Sequence, residues 1–155
     1  MHLCHEAEIP APRAVVFAFF AASANLLRLH HAPFAVRILH HEAAVRVDGE
    51  MWVQVGVAGI LPVVLGFRHN LLEPPARFGE VLIHGVFSRF DHRHEFEETA
   101  AGTLVRDVLR VELPWYYGGE LATKFLMAPQ LKKAFAHRAE TLQKLARSGE
   151  LQDAG

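Results

Sequence analysis

Apolar residues recur at helical spacing near the two ends of the chain and alternate with polar residues through its middle. His2 to Ile9 partly alternates and stops at Pro10, which predicts an edge strand ending in a turn. Pro12 suits the first turn of a helix, and Val15, Val16, Phe19 and Phe20 follow at helical spacing. A second short helix is expected to hold Leu26, Leu27 and Leu29. Beyond Pro33 the period becomes two. Val36, Ile38, Val45 and Val47 alternate with Arg37, Arg46 and Asp48, and Asp48-Gly49 predicts a hairpin turn. Met51 to Val57 reads as the returning strand and Gly59 to Pro62 as a turn. Val63 to Leu72 and Arg77 to Phe87 are two further strands, with Gly79 and Gly85 available for curvature.

The next hairpin is the most legible stretch. Phe90, His92, His94 and Phe96 share one face of a strand whose other face carries Asp91, Arg93, Glu95 and Glu97. After a turn at Ala100 to Gly102, Val105, Asp107, Leu109, Val111 and Leu113 form a mostly apolar face opposite Arg106, Arg110 and Glu112. Closure about Ala100 and Ala101 sets Phe96 opposite Val105, His94 opposite Asp107, His92 opposite Leu109 and Phe90 opposite Val111. A slip of two residues would move Asp107 opposite His92 without changing faces. After Pro114, the aromatic run Trp115 to Tyr117 and Gly118-Gly119 precede a long helix. Its stripe is Leu121, Phe125, Ala128, Leu131, Phe135, Leu142 and Leu145, with Pro129 expected to kink or divide it.

These elements predict an α+β fold: a curved antiparallel sheet of six to seven strands around a long C-terminal helix, with two short helices after the first strand. The length of 155 residues and the absence of a linker-like stretch give one domain, 1–148, with a frayed tail over 149–155. A net charge of -1 removes the basic field of a nucleic-acid binder. The only cysteine, Cys4, cannot close an internal disulfide; with no signal-like leader and no apolar run of bilayer length, a cytoplasmic protein without an integral membrane segment is expected. A homodimer is compatible with these features. Eleven histidines stand out, but the doublets His30-His31 and His40-His41 point their rings apart. No second partner at metal-ligand spacing accompanies them, so neither a metal nor another cofactor is expected.

Gly85-Val86-Phe87, then Phe90, His92, His94 and Phe96, then Gly102-Thr103, Asp107 and Leu113-Pro114 form a pattern. It resembles the G-P-F, W-x-H-x-H-x-F, G-T-x-x-x-D and L-P pattern of START-like SRPBCC proteins related to polyketide cyclases/dehydrases and lipid carriers. Val86 stands where that pattern has proline and Phe90 where it has tryptophan. Ile9-Pro10-Ala11-Pro12 before Val16-Phe17, and Ala134 to Arg138, resemble the superfamily's opening and helix ending. The resemblance covers nearly the whole chain and implies a helix-grip fold around a cavity for a lipid, polyketide or similar apolar molecule.

The expected lining is Phe67, His69, Val81, Ile83, Phe87, Phe90, His92, His94, Phe96, Asp107, Leu109, Val111, Phe125 and Phe135, with Tyr116 near the mouth. Buried phenylalanine is ordinarily core, so many of these also read as plain packing. His92, His94 and Asp107 cost roughly 1 to 3 kcal/mol each if buried without a partner. Two readings of them stay open: a mutual network that anchors the hairpin, or the polar end of a cavity. Noncatalytic binding or transport of a hydrophobic molecule is the leading expectation. A cyclase or dehydratase using His92, His94 and Asp107 as acid-base groups is the alternative. No nucleophile is placed by motif, so covalent catalysis has no support. A protein-interaction module built on the aromatic run is a weaker third reading.

Overall fold

The computed structural model describes residues 1–29, 34–57 and 62–151, the side chains of Phe34 and Val57 excepted. The His30-His31 doublet and all of the expected Gly59 turn but Pro62 lie outside them. Seven strands, β1 (His2–Ile9), β2 (Phe34–His40), β3 (Glu50–Val57), β4 (Val63–Glu73), β5 (Arg77–His84), β6 (Arg89–Thr99) and β7 (Gly102–Glu112), form one antiparallel sheet. Their order is β1-β7-β6-β5-β4-β3-β2, so the first strand returns beside the last. The sheet curls into a half-barrel around the C-terminal helix, the helix-grip arrangement. Between β1 and β2 run α1 (Arg13–Ala21), a 3-10 turn and α2 (Leu26–Leu29). No helix among the described residues is long and apolar enough to cross a membrane.

The β6–β7 hairpin has the expected symmetric register, with His94 opposite Asp107, Phe96 opposite Val105, His92 opposite Leu109 and Phe90 opposite Val111. Its outer face is held by ions, Arg106 donating to both Glu6 and Glu97 at 2.6 Å. At the turn, Gly102 has φ 142° and a Cβ there would sit 2.2 Å from the Ile9 carbonyl oxygen, so no other residue fits.

Four expectations need correction. Val45 and Val47 are not in a strand: β2 ends at His40 and Asp48 takes a left-handed φ of 62°. The backbone of Asp48 and Gly49 instead bonds to His69 of β4. The strand expected to reach Phe87 ends at His84, where Gly85 turns at φ 149°. The long helix is divided, but its phase also shifts. After α3 (Gly119–Ala122), a π-helical turn over Thr123–Met127 precedes α4 (Ala128–Ser148), whose first turn holds Pro129. The wider π turn rotates the face that follows. Thr123, Phe135 and Leu142 are buried, while Leu121 and Phe125 of the expected stripe are exposed. Finally, the tail expected to fray after Ser148 packs as far as Leu151, which is 2% exposed in the core.

Candidate functional site

The interior has two parts. Toward β1, Ile9, Val16, Phe17, Phe19, Phe78, Phe96, Val105, Leu142 and Leu151 form one packed cluster. Phe96 is ringed by Phe17, Phe20 and Phe78 at centroid distances of 5.4, 5.2 and 6.1 Å. Toward β3 and β4 the sheet stands away from α4 and leaves a cavity of about 240 Å³. Met51, Val53, Leu65 and Phe67 form its far wall, Phe87, Phe90 and Leu109 its floor, and Leu131 and Phe135 of α4 its roof. These walls are mostly apolar, with Ser23 and Asn25 contributed by the 3-10 turn and most of the remaining polar groups gathered on one side.

The polar side is assembled by strand alternation. On β5, Phe78 and Glu80 pair with His94 and His92 of β6, so all four share the inner face. His69 of β4 stands on one flank, and Arg138 of α4 closes over the top, its guanidinium 5.4 Å from the Phe135 ring. Asp107 of β7 lies behind. Its Oδ1 accepts from His92 Nε2 and from Arg138, each at 3.1 Å. His94 Nδ1 is 2.7 Å from the same oxygen but out of line for a hydrogen bond, and it is a buried polar atom without an aligned partner. Glu80 is flanked on both oxygens: His92 Nδ1 lies 3.7 Å from Oε1 and His69 Nε2 lies 3.7 Å from Oε2. His69 Nδ1 in turn donates to the Gly49 carbonyl at 3.1 Å.

Burial disfavours the charged form of every group here, and the neighbours decide which of them resist it. Burial pushes the Asp107 carboxyl up, yet Arg138 and the two histidines together hold it well below the usual range. Burial likewise raises Glu80, and His92, His94 and His69 bring it net down. Burial lowers His92, but its hydrogen bond to Asp107 and the Glu80 carboxylate beside it leave it raised. His94 is pushed down to about 4, by burial first and then by the neighbouring His92 charge. The neutral imidazole of His94 and the charged carboxylates therefore coexist within one buried wall.

Of the residues expected from sequence, Phe67, His69, Phe87, Phe90, His92, His94, Leu109 and Phe135 stand in the cavity wall. Phe96 and Val111 are buried in packed clusters beside it, and Asp107 is one layer back. Val81 and Ile83 are on the opposite face of β5, Ile83 being 37% exposed. The inward phase of that strand is Phe78, Glu80 and Leu82, and two apolar residues on the outer face mimicked it. Phe125 is 69% exposed because of the π turn, and Tyr116 is 63% exposed. Tyr116 lines an outer groove with Val86, Leu113 and Trp115. Glu80 and Arg138 were missed. Arg138 follows Leu131 and Phe135 at helical spacing, a signal outweighed by its charge.

No protein-family model matches the chain, and no curated protein matches it in sequence. Solved structures do share the fold. Protein CV1439 from Chromobacterium violaceum superposes with a TM-score of 0.73 at 16% identity, over 94% of this chain and 96% of that one. An AHSA1-like protein from Aeromonas hydrophila gives 0.67 at 14% identity, over 97% and 95%. NE0264 from Nitrosomonas europaea gives 0.73 at 12% identity, over 97% and 96%. At these identities the likeness concerns the fold.

Proposed function

We propose that the chain is a START-like domain of the SRPBCC superfamily that binds and carries a hydrophobic small molecule in the cavity between sheet and α4. One observation carries the reading: a void of about 240 Å³ with mostly apolar walls and its titratable groups gathered at one end. An apolar cavity of roughly 150 Å³ already accepts benzene, so this one suits a substituted ring or short acyl chain. Its polar group would meet the polar wall of His69, Glu80, His92, His94 and Arg138. Native mass spectrometry of the purified protein, followed by organic extraction, tests this. An apolar guest should copurify, or a member of a ring and acyl-chain panel should raise the melting temperature by roughly 5–10 °C at a hundredfold excess over Kd. Absence of both ends the proposal.

A second reading, a cyclase- or dehydratase-type enzyme, is favoured by one feature: the neutral His94 imidazole beside Asp107 at the edge of the cavity. His94 would serve as general base. His94→Ala should then abolish turnover and leave guest binding largely intact. Equal turnover in the two proteins removes His94 from the chemistry.

A further inference from the structure

Glu80 lacks a guanidinium or ammonium partner among the described residues, in contrast to Asp107, which Arg138 neutralises. Imidazole nitrogens face both Glu80 oxygens at 3.7 Å. In each ring the other nitrogen already donates elsewhere, His92 Nε2 to Asp107 and His69 Nδ1 to Gly49. At 3.7 Å each gap is too long for a hydrogen bond, so no direct bond joins either nitrogen to the carboxylate. That separation suits a metal ion instead. Bonds of about 2.0–2.2 Å to nitrogen and oxygen at tetrahedral angles put two ligand atoms roughly 3.4 Å apart. One ligand atom each from Glu80, His92 and His94 already lies within 4.8 Å of the other two.

We propose that Glu80, His92 and His94 form a binding site for a divalent first-row transition metal, with zinc the ion they fit best. Two imidazoles and one carboxylate are a donor set used for zinc and for ferrous iron, and three ligands leave a coordination position open. Here that position faces the cavity. Asp107 supplies the outer-shell carboxylate that orients the His92 ring through Nε2, as metal-bound histidines usually require. Glu80, which no arginine or lysine among the described residues neutralises, provides the negative charge a dication needs. The metal would accept a carboxylate, carbonyl or hydroxyl oxygen from a guest in the void. The site goes beyond the apolar-binding reading and does not depend on it.

The full chain, stripped with a chelator and desalted, is titrated with zinc by calorimetry and with cobalt by visible absorption. One equivalent should bind, with a cobalt d–d spectrum of mixed nitrogen and oxygen ligation. Glu80→Gln keeps the shape but not the charge, and should weaken zinc by more than about a hundredfold; Asp107→Asn should weaken it by about 10- to 100-fold. A protein lacking both His40 and His41 should bind like wild type, because that exposed doublet is not part of the site. If Glu80→Gln does not fold, cobalt-loaded wild type is read by NMR, where the His92 and His94 ring protons should be paramagnetically shifted. Absence of stoichiometric metal, retained affinity in Glu80→Gln, or shifts confined to other histidines overturns the proposal. Guest binding by metal-free protein is measured separately, so failure of the metal site and failure of the apolar cavity remain distinguishable.

Discussion

The β1 side and the β3–β4 side of the same sheet present similar apolar side chains to the interior, yet one is solid and the other hollow. The difference lies in what approaches from above. Over β6 and β7, α1 lowers Phe17 and Phe19 into the curve, and the end of α4 with Leu142 and Leu151 seals the rest. Over β3 and β4, Phe19 and Phe20 of α1, Leu26 and Leu29 of the short elements, and Leu131 and Phe135 of α4 line the space without filling it. A curved sheet needs helical side chains that reach its floor to fill it, and where those of α1 and α4 stop short a void begins. The lesson is that this cavity comes from the reach of the helices and needs no special residues on the strands.

The sharpest way to break that contrast is truncation on each side. Phe96→Ala removes a ring packed on three sides by aromatics and should cost about 3–5 kcal/mol in urea unfolding. Phe67→Ala removes a ring that already faces the void and should cost about half as much, since fewer contacts are lost. Equal losses would mean the two halves are equally packed.

Next in size is the pair that spans the boundary between them. Arg138→Ala leaves the Asp107 carboxylate buried without its cationic partner, and about 3 kcal/mol of stability should go. Replacing both, as Arg138→Met with Asp107→Leu, should recover most of it, because the buried pair need not stabilise the fold. If the recovered protein no longer takes up a guest or zinc, the pair is retained for binding. If it still does, the pair is structural.

A smaller effect is expected from enlarging a residue on each side. Val53→Phe grows into the void and should change stability by less than about 1 kcal/mol while blocking guest uptake. Val105→Phe grows into the packed cluster and should cost about 1–3 kcal/mol. Melting curves and guest extraction on both variants separate the two outcomes.

The same contrast shows what could be read from the chain beforehand. The inward face of the β6–β7 hairpin was legible because its two faces differ sharply in polarity, and its short turn closes it in the symmetric register rather than one slipped by two residues. β5 was not. Val81 and Ile83 outside and Phe78, Glu80 and Leu82 inside give either phase an apolar look, and burying Glu80 is favourable only beside histidines from other strands. The metal-ligand group was hidden for the same reason, as spacing rules see neighbours along the chain and this group is made across two strands. The π turn was invisible too, because one inserted residue leaves three- and four-residue steps on both sides.

That π turn supplies the smallest effect and the most direct check on the helix phase. Phe125 and Leu126 occupy positions that an unbroken α-helix starting at Gly119 would have turned inward in part, and both are exposed. Phe125→Ser and Leu126→Ser should therefore shift unfolding by no more than about 0.5 kcal/mol. Thr123, in the same turn, is fully buried; its hydroxyl accepts from the Leu113 amide at 2.9 Å and donates to the Gly119 carbonyl at 2.8 Å. Thr123→Val leaves both backbone groups without that partner and should cost about 1–3 kcal/mol. Urea titration of the three variants ranks them. A Phe125→Ser loss matching that of Thr123→Val would place Phe125 against the sheet, and the roof of the cavity would have to be rebuilt around it.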